Sequence, residues 1–303
     1  MVWKIERSPV LWSALAGGCA GGLGWGIRGQ YGHETGAMLS GVLVGFAILS
    51  VVGRHLTWQT IARAVALLAI GVGFGGAETY GQTIGLTQDT PLIGNPAARA
   101  WGLLGLFVKG GVWIGLAGAF FGMGLGGKRL STKEAILMLA TLMGLWLLGE
   151  WVFHTPFDPT KRLLPRLYFS STWEWFPENP SLKPRLERWG ALLLVWLGML
   201  VWRGIVRRDT LALRLGIIGF LAGGVGFAGG QCIQSAHAWY PDWFSRQFGR
   251  WDPLINWWNM MEITFGTVWG AAIGAAAARW KSLVREPLPE PRLLPAWGIG
   301  VLL

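Results

Sequence analysis

The residues able to do chemistry in this chain lie inside its apolar runs. Glu78, Lys109, Glu150 and Glu262 fall within or at the ends of stretches otherwise made of Leu, Val, Ala, Gly and Trp. Arg28, Gln30, His33 and Glu34 follow directly on the first such stretch. Ionisable groups at membrane depth are costly, and they mark paths for solutes, ions or protons when they are not simply paired with one another. A set of this kind can bind a polar solute, and Glu78, Glu150 or Glu262 can carry a coupling proton. The plain alternative is a structural Lys109–Glu262 pair that locks two halves together.

Catalytic signatures are missing. There is no GxSxG or SxxK, and neither Cys19 nor Cys232 has a histidine at a recognisable spacing. No HExxH occurs; Glu150 one turn before His154 is a weak zinc signal, with His33 and His237 on the same predicted side. The sequence therefore assigns no catalytic residue and no metal ligand, and it names no cofactor.

The elements that position these groups carry a repeated motif. Residues 22–36 read GLGWGIRGQYGHETG and residues 71–85 read GVGFGGAETYGQTIG, with six identical positions. A further copy begins at Gly224 (GVGFAGGQCIQ), and residues 144–154 hold a degenerate one, GLWLLGEWVFH. In line, one column reads Gly29, Glu78, Glu150 and Gln231, and four residues later another reads His33, Gln82, His154 and Ser235. Residues four apart share a helix face, so each rising helix ends on a polar group at one repeated place. Gly24, Gly26 and Gly29 spell GxGxxG, but nucleotide binding needs a strand before the motif, and here a membrane helix precedes it. Small residues four apart let helices approach closely in lipid, as at Gly41/Gly45, Gly118/Gly122 and Gly266/Gly270/Gly274. Such density also allows a helix to unwind, which is how many transporters build binding sites.

Composition fits this frame. Of 303 residues 52% are hydrophobic and 14% charged, against about 25% charged in a soluble domain. The net charge of +10 comes from Lys and Arg scattered between apolar runs, which argues against nucleic acid. Lys4, Arg7 and the run ending at Cys19 loosely resemble a lipoprotein signal, but Ala16 is out of pattern and cleavage would sever the first motif.

Apolar runs near the roughly 20 residues needed to cross a bilayer occupy 9–27, 36–52, 64–76, 100–124, 135–153, 189–206, 211–230 and 255–279. The third is short unless its linker, 53–63, adds a turn. Lys and Arg concentrate in alternate connections, placing the N-terminus in the cytoplasm. The expected fold is an all-α polytopic membrane protein of about eight spans in four helical hairpins. Its repeats are parallel (halves 9–127 and 135–279), with Gly-broken helices at the outer side. One transmembrane domain covers 1–294, with Trp-rich outer loops at 154–188 and 231–254 and an apolar tail at 295–303.

The function expected is a transporter or permease for a small polar solute in a bacterial inner membrane, with the lipid bilayer as its other partner. Arg28, Gln30, His33, Glu34, Glu78 and Gln82 would line the site. Lys109, Glu150, His154, Gln231 and Glu262 would complete it. The alternatives are an intramembrane enzyme acting on a lipid-linked or periplasmic substrate, and a structural membrane subunit.

Overall fold

A computed structural model describes residues 8–128, 131–156 and 188–286, Gln82 by its backbone alone. The tail 295–303 and most of the loop 154–188 lie outside the described residues. Among the described residues ten α-helices follow in order: α1 Pro9–Gly26, α2 His33–Val52, α3 Trp58–Gly76, α4 Gly81–Gln88, α5 Pro96–Leu125, α6 Thr132–His154, α7 Trp189–Met199, α8 Thr210–Trp239, α9 Pro241–Phe248 and α10 Trp257–Arg279. Seven are long and apolar enough to cross a membrane, α7 being counted with its π-helical extension Leu200–Val206. This is an all-α membrane protein. The run 9–27, expected as a span, forms α1 but is not among those seven, because its glycines and tryptophans dilute its hydropathy. It still packs closely against α10 from Ile263 to Gly274.

Local chemistry sets the helix starts. Pro stands in the first turn of α1 and α5, where a missing N–H costs nothing. Asn95, Asp209 and Asn256 accept from Ala98, Ala212 and Asn259 backbone N–H at 3.1, 3.2 and 3.1 Å, capping α5, α8 and α10. Ser131 and Glu134 form a capping box on α6. The linker 53–63 does lend α3 its missing turns, from Trp58 onward, with Thr57 as cap. The stretch 231–254, expected as loop, is largely helical: α8 runs on to Trp239, and α9 begins at Pro241.

Glycine decides the packing. A Cβ on Gly17, Gly21 or Gly274 would lie 2.3, 2.1 or 2.2 Å from the carbonyl oxygen of Gly270, Gly266 or Ser13, so α1 and α10 touch backbone to backbone. The α5–α8 seam is built alike: a Cβ on Gly110, Gly118 or Gly219 would meet the carbonyl of Gly223, Leu215 or Ile114 at 2.4, 2.2 and 2.2 Å. In lipid, where apolar side chains gain little by leaving their solvent, such close contact supplies the association energy. Helix α6 is peripheral, with only Met138, Leu142, Gly149 and His154 buried, and α7 lies between it and the rest of the bundle through Trp189, Leu192 and Met199.

One end of the bundle carries the connections after α1, α3 and α8 (the motif end). The other holds residues 8 and 280–286 (the termini end). At the termini end Arg285 N–H donates to Leu125 O at 2.9 Å, and His55 Nε2 meets Val284 O at 3.2 Å. Glu286 accepts from the Thr60 hydroxyl at 2.5 Å and from the Thr57 backbone N–H, closing the start of α3.

Candidate functional site

The site begins where α3 stops. A Cβ on Gly75 would run into the Trp113 ring, so α3 ends against the middle of α5. Residues 77–80 are not α-helical, and α4 then packs on Gly102, nearer the start of α5, through Leu86 and Thr87. Lys109, opposite this interruption, is 13 residues into α5, about 20 Å along it at 1.5 Å per residue. The glycine run of 71–76 permits both the stop and the contact.

Arg28 reaches into the bundle from the turn after α1 and is 3% exposed. Its Nη2 donates to Glu262 Oε1 of α10 at 2.6 Å and to the hydroxyl of Tyr80, the residue before α4. Its Nη1 lies 3.3 Å from His33 Nδ1 at the start of α2. Glu262 is 3% exposed, so this is a buried ion pair joining widely separated parts of the chain. The guanidinium carbon stands 5.4 Å from the Trp25 ring centroid and 5.8 Å from that of Tyr80, within cation–π range. Packed against these rings is an aromatic block, with Trp25 against Trp113 (5.2 Å) and Phe265 (4.9 Å) and Tyr80 against Phe227 (5.0 Å).

A second polar group shares α4. Lys109, with no exposed surface, donates to Thr83 Oγ1 at 2.5 Å. Gln231 Nε2 donates to Thr87 Oγ1 at 2.8 Å and to Gln88 Oε1 at 2.9 Å. Arg99 Nη2 donates to Ser235 Oγ at 3.3 Å, and its guanidinium lies over the Trp239 ring.

A third group gathers at the start of α7. Glu78 Oε2 accepts from Arg188 backbone N–H at 2.9 Å, and Trp189 Nε1 donates to Thr79 O at 2.8 Å. Glu150 Oε1 lies 2.9 Å from Arg188 Nε, a charge contact rather than an aligned hydrogen bond.

Seven of the eleven predicted residues therefore fall into three neighbouring clusters tied together by residues 78–88. Arg28, His33 and Glu262 meet directly; Lys109 and Gln231 meet through α4; Glu78 and Glu150 meet through Arg188. His154 is buried at 4% on α6, while Gln30 and Glu34 are exposed at the α1–α2 turn. The side chain of Gln82 lies outside the described residues. The ion pair of Glu262 is with Arg28, not Lys109, because Lys109 points to α4. The sequence reading missed Tyr80, Thr83, Thr87 and Arg188. Tyr80 had left a signal: it occupies a repeated motif position whose other copy, Tyr31, is 54% exposed. Among the described residues, no group of three His, Cys, Asp or Glu could hold a metal ion.

Fold and site together define an integral membrane protein of the polytopic α-helical class, with buried charge at an interrupted helix. Compared with known proteins, the chain matches no family model, no curated protein and no solved structure.

Proposed function

We propose that this protein is a membrane transporter or permease for a small polar solute, with its site at the interruption between α3 and α4. The observation that carries this reading is the Arg28–Glu262 pair, 2.6 Å long and buried among apolar helices. Removing two charges from water is a poor way to stabilise a fold, since the desolvation cost rivals the attraction gained. Interrupted helices with polar groups beside the break are a common way to build a solute site in a bundle.

The internal repeat belongs to the same proposal. Ser13, Gly17 and Gly21 lie against Gly274, Gly270 and Gly266, and Leu215, Gly219 and Gly223 lie against Gly118, Ile114 and Gly110. Both seams step by four residues, and the copies of the motif at Gly22 and Gly224 bring α1 into line with α8 in this same register. In that register Trp113 matches Trp269 and Lys109 matches Phe265. Lys109 and Glu262 are then not equivalent positions. Arg54, Arg63, Lys128, Arg203, Arg207 and Arg214 surround the termini end, which supports a cytoplasmic N-terminus in a bacterial inner membrane with the motif end outside.

Uptake of a panel of labelled amino acids, sugars and organic acids tests the reading. Glu262→Gln and Glu78→Gln should each abolish uptake of the accepted solute while the protein still reaches the membrane. Full uptake in both variants would remove the proposal. The closure of Arg28 and Glu262 to 3% exposure also suits a structural subunit, and that is the reading such a result would leave.

A further inference from the structure

Resting on that transport reading, we propose that the solute is a small anion, a carboxylate or a phosphate, which replaces the Glu262 carboxylate on Arg28 while Glu262 takes up one proton. No covalent bond changes. The Arg28–Glu262 contact opens, an Arg28–anion contact forms, and a proton from solution ends on the Glu262 carboxyl.

Three features of Arg28 support this. Its contact with Glu262 is end-on, one nitrogen to one oxygen. A guanidinium has five N–H donors arranged as a fork that matches the two oxygens of a carboxylate or phosphate. The buried Nε of Arg28 has no hydrogen-bond partner, so part of that fork is unused. His33, exposed, contacts Nη1 and puts the guanidinium within reach of the motif end, while the aromatic block covers its other side.

Charge balance supplies the proton. The groups facing Glu262 are Arg28 from the turn after α1 and Tyr80 from the α3–α4 interruption. On α2, His33 contacts Arg28 and Glu34 is exposed; on α5, Lys109 donates to Thr83; on α8, Gln231 turns its amide to α4, and His237 contacts Asp252 at 3.1 Å. Glu78 is engaged with the Arg188 backbone. An anion arriving beside an ionised Glu262 would put two negative charges on one buried guanidinium. Like charges at close range disfavour double ionisation, and one proton restores neutrality.

The test uses the purified full chain, first in detergent and then in proteoliposomes. Acetate, succinate and inorganic phosphate are the anionic probes, with acetamide as a neutral and choline as a cationic control. At least one anion should bind, about tenfold more tightly for each unit of pH lowered where one proton is taken up. Acetamide and choline should not bind. Glu262→Gln should bind the anion with no such pH dependence, and Arg28→Lys, which keeps the charge but loses the fork, should weaken binding about tenfold or more. The wild-type pH profile needs no variant and stands even where a substitution impairs folding. Absence of anion binding at every pH, or binding with no pH dependence in the wild type, overturns the inference. Anions that bind as expected but are not accumulated in proteoliposomes would leave the anion site and remove the transport reading. Accumulation of acetamide or choline without anion binding would do the reverse.

Discussion

Two buried arginine–carboxylate pairs sit at opposite ends of this bundle, each 2.6 Å long: Arg28–Glu262 at the motif end and Arg203–Asp209 at the termini end. The second is local. Its partners are six residues apart, Asp209 also caps α8 through Ala212 N–H, and Arg203 reaches Lys128 O at 3.3 Å. The pair and the cap fix the tight connection between α7 and α8, and the Lys128 contact ties that connection to the segment after α5. The first joins residues 234 apart and draws in Tyr80 and His33 from two more parts of the chain. Equal distance and near-equal burial thus serve different ends. The local pair can be satisfied by its own turn, whereas the distant pair exists only while four parts of the chain hold one arrangement.

Substitutions can break or sharpen that contrast. The largest loss of stability is expected for Asp209→Ala, which removes a cap and strands a buried guanidinium. Thermal or denaturant unfolding in detergent should show a loss of about 3–5 kcal/mol, with the uptake per folded molecule unchanged. Gly266→Ala comes next: its Cβ would lie 2.1 Å from Gly21 O, one helical turn below Glu262. Overpacking of this kind costs about 1–3 kcal/mol, and by moving α10 off α1 it should also lower uptake. Gly144→Ala, where a Cβ meets nothing, is the matched control with stability kept. Smaller still in stability is the double variant Arg28→Met with Glu262→Met. Replacing both partners of a buried pair by apolar residues is commonly neutral or stabilising, so unfolding should change little while uptake disappears. A structural role for the pair predicts uptake retained instead.

The smallest effect concerns Glu286, a carboxylate at the termini end that is open to water. Burial pushes its carboxyl up, but hydrogen bonds from Thr60 and Thr57 outweigh this and hold it below its ordinary 4.5. A carboxyl depressed in the folded state adds stability above its unfolded value, and that contribution fades as pH falls through the folded value. Unfolding followed below about pH 4.5 should therefore be less pH-dependent in Glu286→Gln than in the wild type.

Much of the fold was legible because the solvent dictates it. The run 189–206 became α7 and its extension, and 255–279 became α10, since a span must be apolar for about 20 residues and satisfy its own hydrogen bonds. The stop after Gly76 follows a dense glycine run, but the comparable density at 223–230 leaves α8 unbroken to Trp239, so the expected break does not occur there and glycine permits a stop without imposing one. The Trp-rich stretch 231–254 read as loop because α9 is only eight residues long, set between Pro241 and Gly249, too short to span anything. Partner choice was less accessible. Glu262 and Lys109 were recognised as buried charges, yet pairing each with its actual partner required the register of α10 on α1 and of α4 on α5.

Composition, the glycine motifs and the placement of charges determined by themselves that this chain is helical, belongs in a membrane and carries ionisable groups inside it. Only the tertiary structure decided that Arg28 would hold Glu262, that Tyr80 would join them, and that Lys109 would turn to Thr83. Spans follow from local hydropathy, a sum over neighbours in sequence. Contacts between side chains depend on how far each helix slides and tilts against the next, which the backbone-to-backbone glycine seams set.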